Sequence, residues 1–199
     1  MHLQTFLGGG AKTGFLAFLF SALLLSQEEI KRQNAYLTDN LLINSIFPKE
    51  EVNNSIRIEF SSSLSSDRHY FNANLIYAQP NRIFKLPGRL NFEIGGFFTP
   101  ANQTHIYNFA IIGISQDVIF PIYPSDFGNL FLGVGIGLYL KSKVDDRVGS
   151  AITFGERLFV GYMVEDYDIE LYYKHYSNGT IEIPNGGHDF WGISFGYCF

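Results

Sequence analysis

Tyr167–Phe199 reads YDIELYYKHYSNGTIEIPNGGHDFWGISFGYCF. Two apolar-rich runs, Tyr167–Ser177 and Asp189–Phe199, flank a segment rich in Asn, Gly and Pro, Asn178–His188. Such a pattern predicts two antiparallel strands joined by a long loop. Residues two apart on a strand share a face. Ile169, Leu171, Tyr173, His175 and Ser177 therefore share one face of the first run, and Asp168, Glu170, Tyr172, Lys174 and Tyr176 the other. In the second run Asp189, Trp191, Ile193, Phe195, Tyr197 and Phe199 lie opposite Gly192, Ser194, Gly196 and Cys198. The apolar face is the outer one if the strands belong to a barrel in a membrane.

The same alternation extends upstream. Ile56, Ile58 and Phe60 alternate with Arg57, Glu59 and Ser61, and Phe71, Ala73, Leu75 and Tyr77 with Asn72 and Asn74. Leu90, Phe92 and Ile94 alternate with Asn91, Glu93 and Gly95. Tyr107–Phe120 is a long apolar run with a less clean alternation. In Asn129–Lys141 the pattern is clearest, with Leu130, Leu132, Val134, Ile136 and Leu138 against Phe131, Gly133, Gly135, Gly137 and Tyr139. With Ala151–Val164 these runs make about eight strands of roughly 9–14 residues, the length a tilted membrane-spanning strand needs. The predicted fold is all-β: an eight-stranded antiparallel transmembrane β-barrel over residues 55–199. Its lumen is expected to hold Arg57, Glu59, Asn72, Asn74, Glu93, Arg157, Glu170 and Lys174 as packing groups that neutralise one another. A soluble lipocalin-like barrel would carry the opposite polarity, apolar inside and polar outside.

Composition fits this class. The chain has 199 residues, a length suited to one domain, with 20 Phe, 12 Tyr and 20 Gly. No apolar run approaches the ~20 residues that a spanning helix requires. Fourteen Lys and Arg stand against 19 Asp and Glu, so there is no basic stripe for nucleic acid. The single cysteine, Cys198, excludes an intrachain disulfide framework and a cysteine-clustered metal site. His2, His69, His105 and His188 lack the spacing of zinc ligands, so neither a metal nor an organic cofactor is expected. Residues 1–26 are expected to form a signal peptide, since Gly14–Leu25 is a short apolar core behind Lys12. Residues 27–54 form an N-terminal segment whose pattern selects neither a helix, an extra strand nor a plug. With both ends periplasmic, the connections near Ser65–Arg68, Thr99–Ile106, Ser142–Gly149 and Asn178–His188 are external. Those near Pro80–Gly88, Pro121–Gly128 and Glu165–Asp166 are then periplasmic.

This topology puts His175 and Ser177 at the outer rim of the seventh strand, with Asp189 opening the eighth beside them. A base, a hydroxyl and an acid that orients the base are the parts of an acyl-transfer triad. All three continue the apolar faces, so they meet lipid, and a lipid is the substrate that placement suits. His188 points the other way or sits in the loop, and is not a second base.

His175-Tyr176-Ser177-Asn178, followed by Pro184-Asn185 and an acid at position 189, resembles the lipid A 3-O-deacylase (PagL) family over Tyr173–Phe199. Those enzymes are small outer-membrane barrels that hydrolyse the ester-linked hydroxyacyl chain at position 3 of lipid A. The resemblance implies Ser177 as nucleophile, His175 as general base, and Asp189 as the orienting acid where the family usually has Glu. It implies Asn178 and Asn185 for oxyanion stabilisation or for shaping the loop, with Gly179 where a small residue is typical. Lipid A in lipopolysaccharide is the implied substrate and the bacterial outer membrane the implied location. The alternative is a non-catalytic structural outer-membrane barrel or adhesin. An enzyme acting elsewhere on lipid A is a third reading.

Overall fold

The computed structural model describes residues 54–63, 69–83, 86–100, 108–125 and 127–199. The expected signal peptide, nearly all of the N-terminal segment, the connection at Ser65–Arg68 and most of that at Thr99–Ile106 lie outside the described residues. Eight strands form one closed antiparallel barrel in simple up-and-down order. They are β1 (Ser55–Ser63), β2 (Phe71–Ile83), β3 (Leu86–Phe98), β4 (Phe109–Ser125), β5 (Gly128–Lys141), β6 (Ile152–Val164), β7 (Tyr167–Ser177) and β8 (His188–Cys198). Closure comes from β1 pairing with β8, Ser55 opposite Cys198 and Ser62 opposite Trp191. Closure leaves no strand at the edge of the sheet, the arrangement a lipid environment requires because it cannot hydrogen-bond an open edge.

Two of the expected connections are strand instead. Pro80–Ile83 extends β2, Leu86–Gly88 opens β3, and β4 runs past Phe120 through Pro121 and Pro124 to Ser125. Proline withdraws an N–H from a ladder, so it is tolerated only at edges and bulges. Here each proline lies where its strand has one neighbour. Pro80 pairs with Arg89 but lies beyond Ala78, the last β2 residue paired to β1. Pro87 precedes Gly88, where pairing with β4 starts. Pro121 and Pro124 lie beyond Val118, where pairing with β3 ends, and the β4–β5 register shifts between Pro121 and Tyr123. The tight turn at Glu165–Asp166 is where the sequence places it, with Glu165 at a φ of 52°.

The faces separate as alternation requires. Ile58, Leu75, Ile94, Val134, Leu158 and Leu171 are exposed on the outer wall. The lumen is a filled plug. Arg57 binds Asp168 at 2.6 Å and Glu170 at 2.8 Å. Arg157 binds Glu59 and Glu170, each at 2.7 Å. Lys174 binds Glu93 at 2.6 Å, and the Tyr139 hydroxyl donates to the same carboxylate at 2.7 Å. All eight expected interior groups are buried, and among further buried charges outside that expectation Arg89 and Asp117 pair at 3.0 Å. Each buried charge has an opposite partner, which is the condition for tolerating it in a low-dielectric interior. Aromatic rings fill the space above and below this layer. Inward-facing glycines make room for them: a Cβ on Gly133 would collide with the Phe159 ring, and one on Gly113 with the Tyr139 ring.

Candidate functional site

The β7–β8 register fixes the site. His175 stands directly opposite Asp189, Tyr173 opposite Trp191, and Tyr176 opposite His188. Directly opposed residues share a face with Cβ atoms ~4.5–5.5 Å apart, close enough for side-chain bonding. His175 Nδ1 and Asp189 Oδ1 are 2.7 Å apart, so the shorter aspartate reaches the imidazole. Both side chains are partly open, 29% and 37% exposed, on the outer wall at the end that carries the 142–151 and 178–187 loops. Ser177 is the last residue of β7, half-buried, on the same face as His175 one pleat further out. No hydrogen bond among the described residues joins its hydroxyl to the imidazole.

The apolar faces of β7 and β8 continue below these three residues. Leu171 and Trp191 are exposed on the outer wall at 59% and 54%. Tyr173 shares that face but is not purely apolar there, because its hydroxyl donates to Asp189 Oδ1 at 2.5 Å. Glu156 of β6 stands opposite His175 on the other side and is exposed. Sequence reading missed both contributions. Each is fixed by which residues face each other across strands, and the face alone does not tell that.

The 178–187 loop is built around Asn178, which is fully buried. Its amide donates to the Glu182 carbonyl at 2.6 Å and its Oδ1 accepts the Thr180 N–H at 3.0 Å. The Asn178 N–H donates in turn to Asn185 Oδ1 at 2.9 Å. The asparagine pair thus ties the loop together. Gly179, Thr180 and Gly187 hold φ near 59°, 65° and 64°. Gly187 closes on the site: a Cβ there would lie 2.6 Å from His175 Cε1 and 3.2 Å from Nε2. Among the described residues, Asn185 Nδ2 and the Gly179 N–H are without hydrogen-bond partners.

The 142–151 loop braces this arrangement. Val148 bridges to Asn185, and the Gly149 N–H donates to the Pro184 carbonyl at 2.8 Å. Arg147 Nε donates to the Gly187 carbonyl at 2.7 Å, and its Nη2 to that of Gly186 at 3.1 Å. Asp145 anchors the loop from below, 2.6 Å from Lys141 Nζ and 3.0 Å from His188 Nε2. Burial pushes the Asp145 carboxyl up. The hydrogen bonds and charges of His188 and Lys141 outweigh it and hold the group below the usual carboxylate range. His188 is buried and packs edge-on against Tyr70, with ring centroids 5.1 Å apart. It faces inward as parity requires, and its work is to fasten a loop.

No group of three or more His, Cys, Asp and Glu side chains able to hold a metal occurs among the described residues. An acid–base pair held in register, a hydroxyl on the same face and unpartnered N–H groups above it are suited to acyl transfer.

Comparisons with known proteins bear on the same region. The family model described as Lipid A 3-O-deacylase (PagL) matches residues 87–198. The lipid A deacylase PagL of Bordetella bronchiseptica is 34% identical over 75 residues, which covers 36% of this chain and 42% of that relative. The crystal structure of the outer membrane enzyme PagL superimposes with a TM-score of 0.56 at 15% identity, covering 73% of this chain and 99% of the other. Neisserial surface protein A is also similar, with a TM-score of 0.49 at 15% identity over 73% of this chain and 96% of the other.

Proposed function

The chain belongs to the lipid A 3-O-deacylase (PagL) family, and from that premise we propose that it is a serine esterase of the bacterial outer membrane. Its substrate is the ester-linked 3-hydroxyacyl chain of lipid A in the outer leaflet. The observation that carries the reading is the His175–Asp189 pair at 2.7 Å on the lipid-facing rim, with Ser177 beside it on the same strand.

His175 Nε2 takes the Ser177 proton as Oγ attacks the ester carbonyl. Asp189 Oδ1 accepts from Nδ1–H, holding the reactive tautomer and stabilising the imidazolium that forms. Asn185 Nδ2 and the Gly179 N–H stabilise the oxyanion, and donors of this kind contribute about 10²–10³ in rate each. The tetrahedral adduct collapses, and His175 returns the proton to the departing sugar oxygen. Water, deprotonated by His175, then attacks the acyl-serine ester; the acyl C–Oγ bond breaks, His175 returns the proton to Ser177 Oγ, and a 3-hydroxy fatty acid leaves. The other acyl chains already lie against Leu171 and Trp191, so the leaflet itself delivers the ester to the rim.

Mass spectrometry of lipid A from cells making the wild type or Ser177→Ala, at matched membrane levels, tests this. The wild type should remove one hydroxyacyl chain. Ser177→Ala and His175→Ala should each lose roughly 10⁴-fold or more in rate, and the double variant should be no worse, because the pair acts as a unit. Equal deacylation by Ser177→Ala removes the serine mechanism. No shift by the wild type in several lipid A backgrounds returns the chain to a structural barrel.

A further inference from the structure

Asp189 Oδ1 accepts two hydrogen bonds from β7, one from His175 Nδ1 at 2.7 Å and one from the Tyr173 hydroxyl at 2.5 Å. We propose that Tyr173 is a positioning residue: its hydroxyl fixes the Asp189 carboxylate so that Asp189 holds a single tautomer of His175. This rests on the serine-esterase reading.

Tyr173 stands opposite Trp191, so Asp189 is its diagonal neighbour, a separation that a long aromatic side chain spans. The Trp191 ring braces it, with centroids 5.5 Å apart and planes at 54°. The brace fixes where the hydroxyl points. Asp189 needs such fixing because it is 37% exposed. Held by the imidazole alone, a carboxylate that open would exchange rotamers and turn toward solvent. Its second oxygen, Oδ2, is without a hydrogen-bond partner among the described residues, so both restraints act on Oδ1. At a lipid-facing rim the phenol also supplies, for one oxygen, the hydration that hydrocarbon withholds.

The other charged groups facing this cluster do not substitute for Tyr173. Arg147 of the 142–151 loop acts on Asp189 through its charge, while its guanidinium donates to the carbonyls of Gly186 and Gly187. Glu156 of β6, beside His175, is an acceptor of the wrong sign. The residues of β1 nearest in register, Ser62 and Ser63, carry no charge.

Tyr173→Phe removes one oxygen and keeps the ring on Trp191. The barrel should assemble and remain heat-modifiable, with kcat lower by about tenfold and KM within about twofold, since the lost interaction serves the transition state. In an Asp189→Asn background the same change should cost nothing further, because Tyr173 acts through that carboxylate. Nitrogen NMR of the imidazole in micelles should show one Nδ1–H tautomer in the wild type and a mixture of two in Tyr173→Phe. Unchanged kcat with an unchanged tautomer overturns the proposal. So does an additive loss in the double variant, which would put Tyr173 on the substrate. A wild type that leaves lipid A intact would sink the esterase reading instead, and the tautomer measurement would then decide Tyr173 by itself.

Discussion

Gly187 lies against His175 so closely that a Cβ at that position would come within 2.6 Å of the imidazole. The φ of 64° at Gly187 favours glycine as well. Two independent constraints thus exclude a side chain beside the proposed base.

Gly187→Ala should therefore damage activity more than assembly. The left-handed backbone costs an alanine ~1–2 kcal/mol, and the methyl displaces the imidazole from Asp189. Lipid A deacylation should fall at least tenfold, with the barrel still heat-modifiable on gels. Full activity would show that the imidazole is free to move.

Asp189→Asn keeps the shape of the acid and removes its charge. Deacylation should fall substantially but less than in Ser177→Ala, as in triads where the acid is the more dispensable member. Asp189→Glu should retain activity, since the family resemblance implies glutamate there. Comparing the three variants at matched membrane levels gives the ranking, and full activity in Asp189→Asn would leave a Ser-His pair.

The two walls of the barrel should respond to substitution in opposite ways. Val134 is 42% exposed on the outer wall in the middle of β5. An arginine there should cost about 2–4 kcal/mol and impair assembly. Its neighbour Gly133 faces the Phe159 ring, so Gly133→Val should fail by collision, without any charge. Urea-dependent folding into vesicles reads both. Normal assembly of Val134→Arg would reverse the inside–outside assignment.

Asp145 should keep the 142–151 loop fastened through mild acid. Its folded value is depressed below its ordinary 3.8, so the stability it contributes is present above about pH 4 and is lost as pH falls through the depressed value. The loop should resist protease at pH 5 as it does at pH 7. Asp145→Ala leaves Lys141 and His188 buried without their carboxylate, a loss of about 3–5 kcal/mol at any neutral pH. Cleavage within the loop at pH 7 should then appear. Wild-type cleavage that sets in between pH 7 and 5 would contradict the assignment.

The barrel was legible because lipid and lumen impose opposite demands on adjacent residues. Val134 beside Gly133, or Leu171 beside Glu170, declares a strand and its faces without any tertiary knowledge. Strand ends were not legible in the same way. Pro80, Pro87, Pro121 and Pro124 read as breakers, yet a proline breaks a ladder only where neighbours flank it on both sides, and stagger between strands leaves these four with one. In the candidate site, parity put His175, Ser177 and Asp189 on one face. The Tyr173–Asp189 bond, the position of Glu156 and the Arg147 brace depend on register and on contact between two loops. A single strand's pattern does not encode either. Asp117 escaped notice because β4 carries apolar residues on both faces and blurs its own period.

The lumen is closed by paired charges and stacked rings, and the candidate site stands on the outside of the wall. With the described lumen filled, the barrel stands as a patterned post in a two-dimensional fluid. On the proposed esterase function its substrate would arrive by lateral diffusion within one leaflet, already oriented, without crossing bulk water. Rates should consequently follow the mole fraction of substrate among the surrounding lipids. Diluting the membrane with inert lipid should slow the reaction, while diluting the suspension with buffer should leave it unchanged.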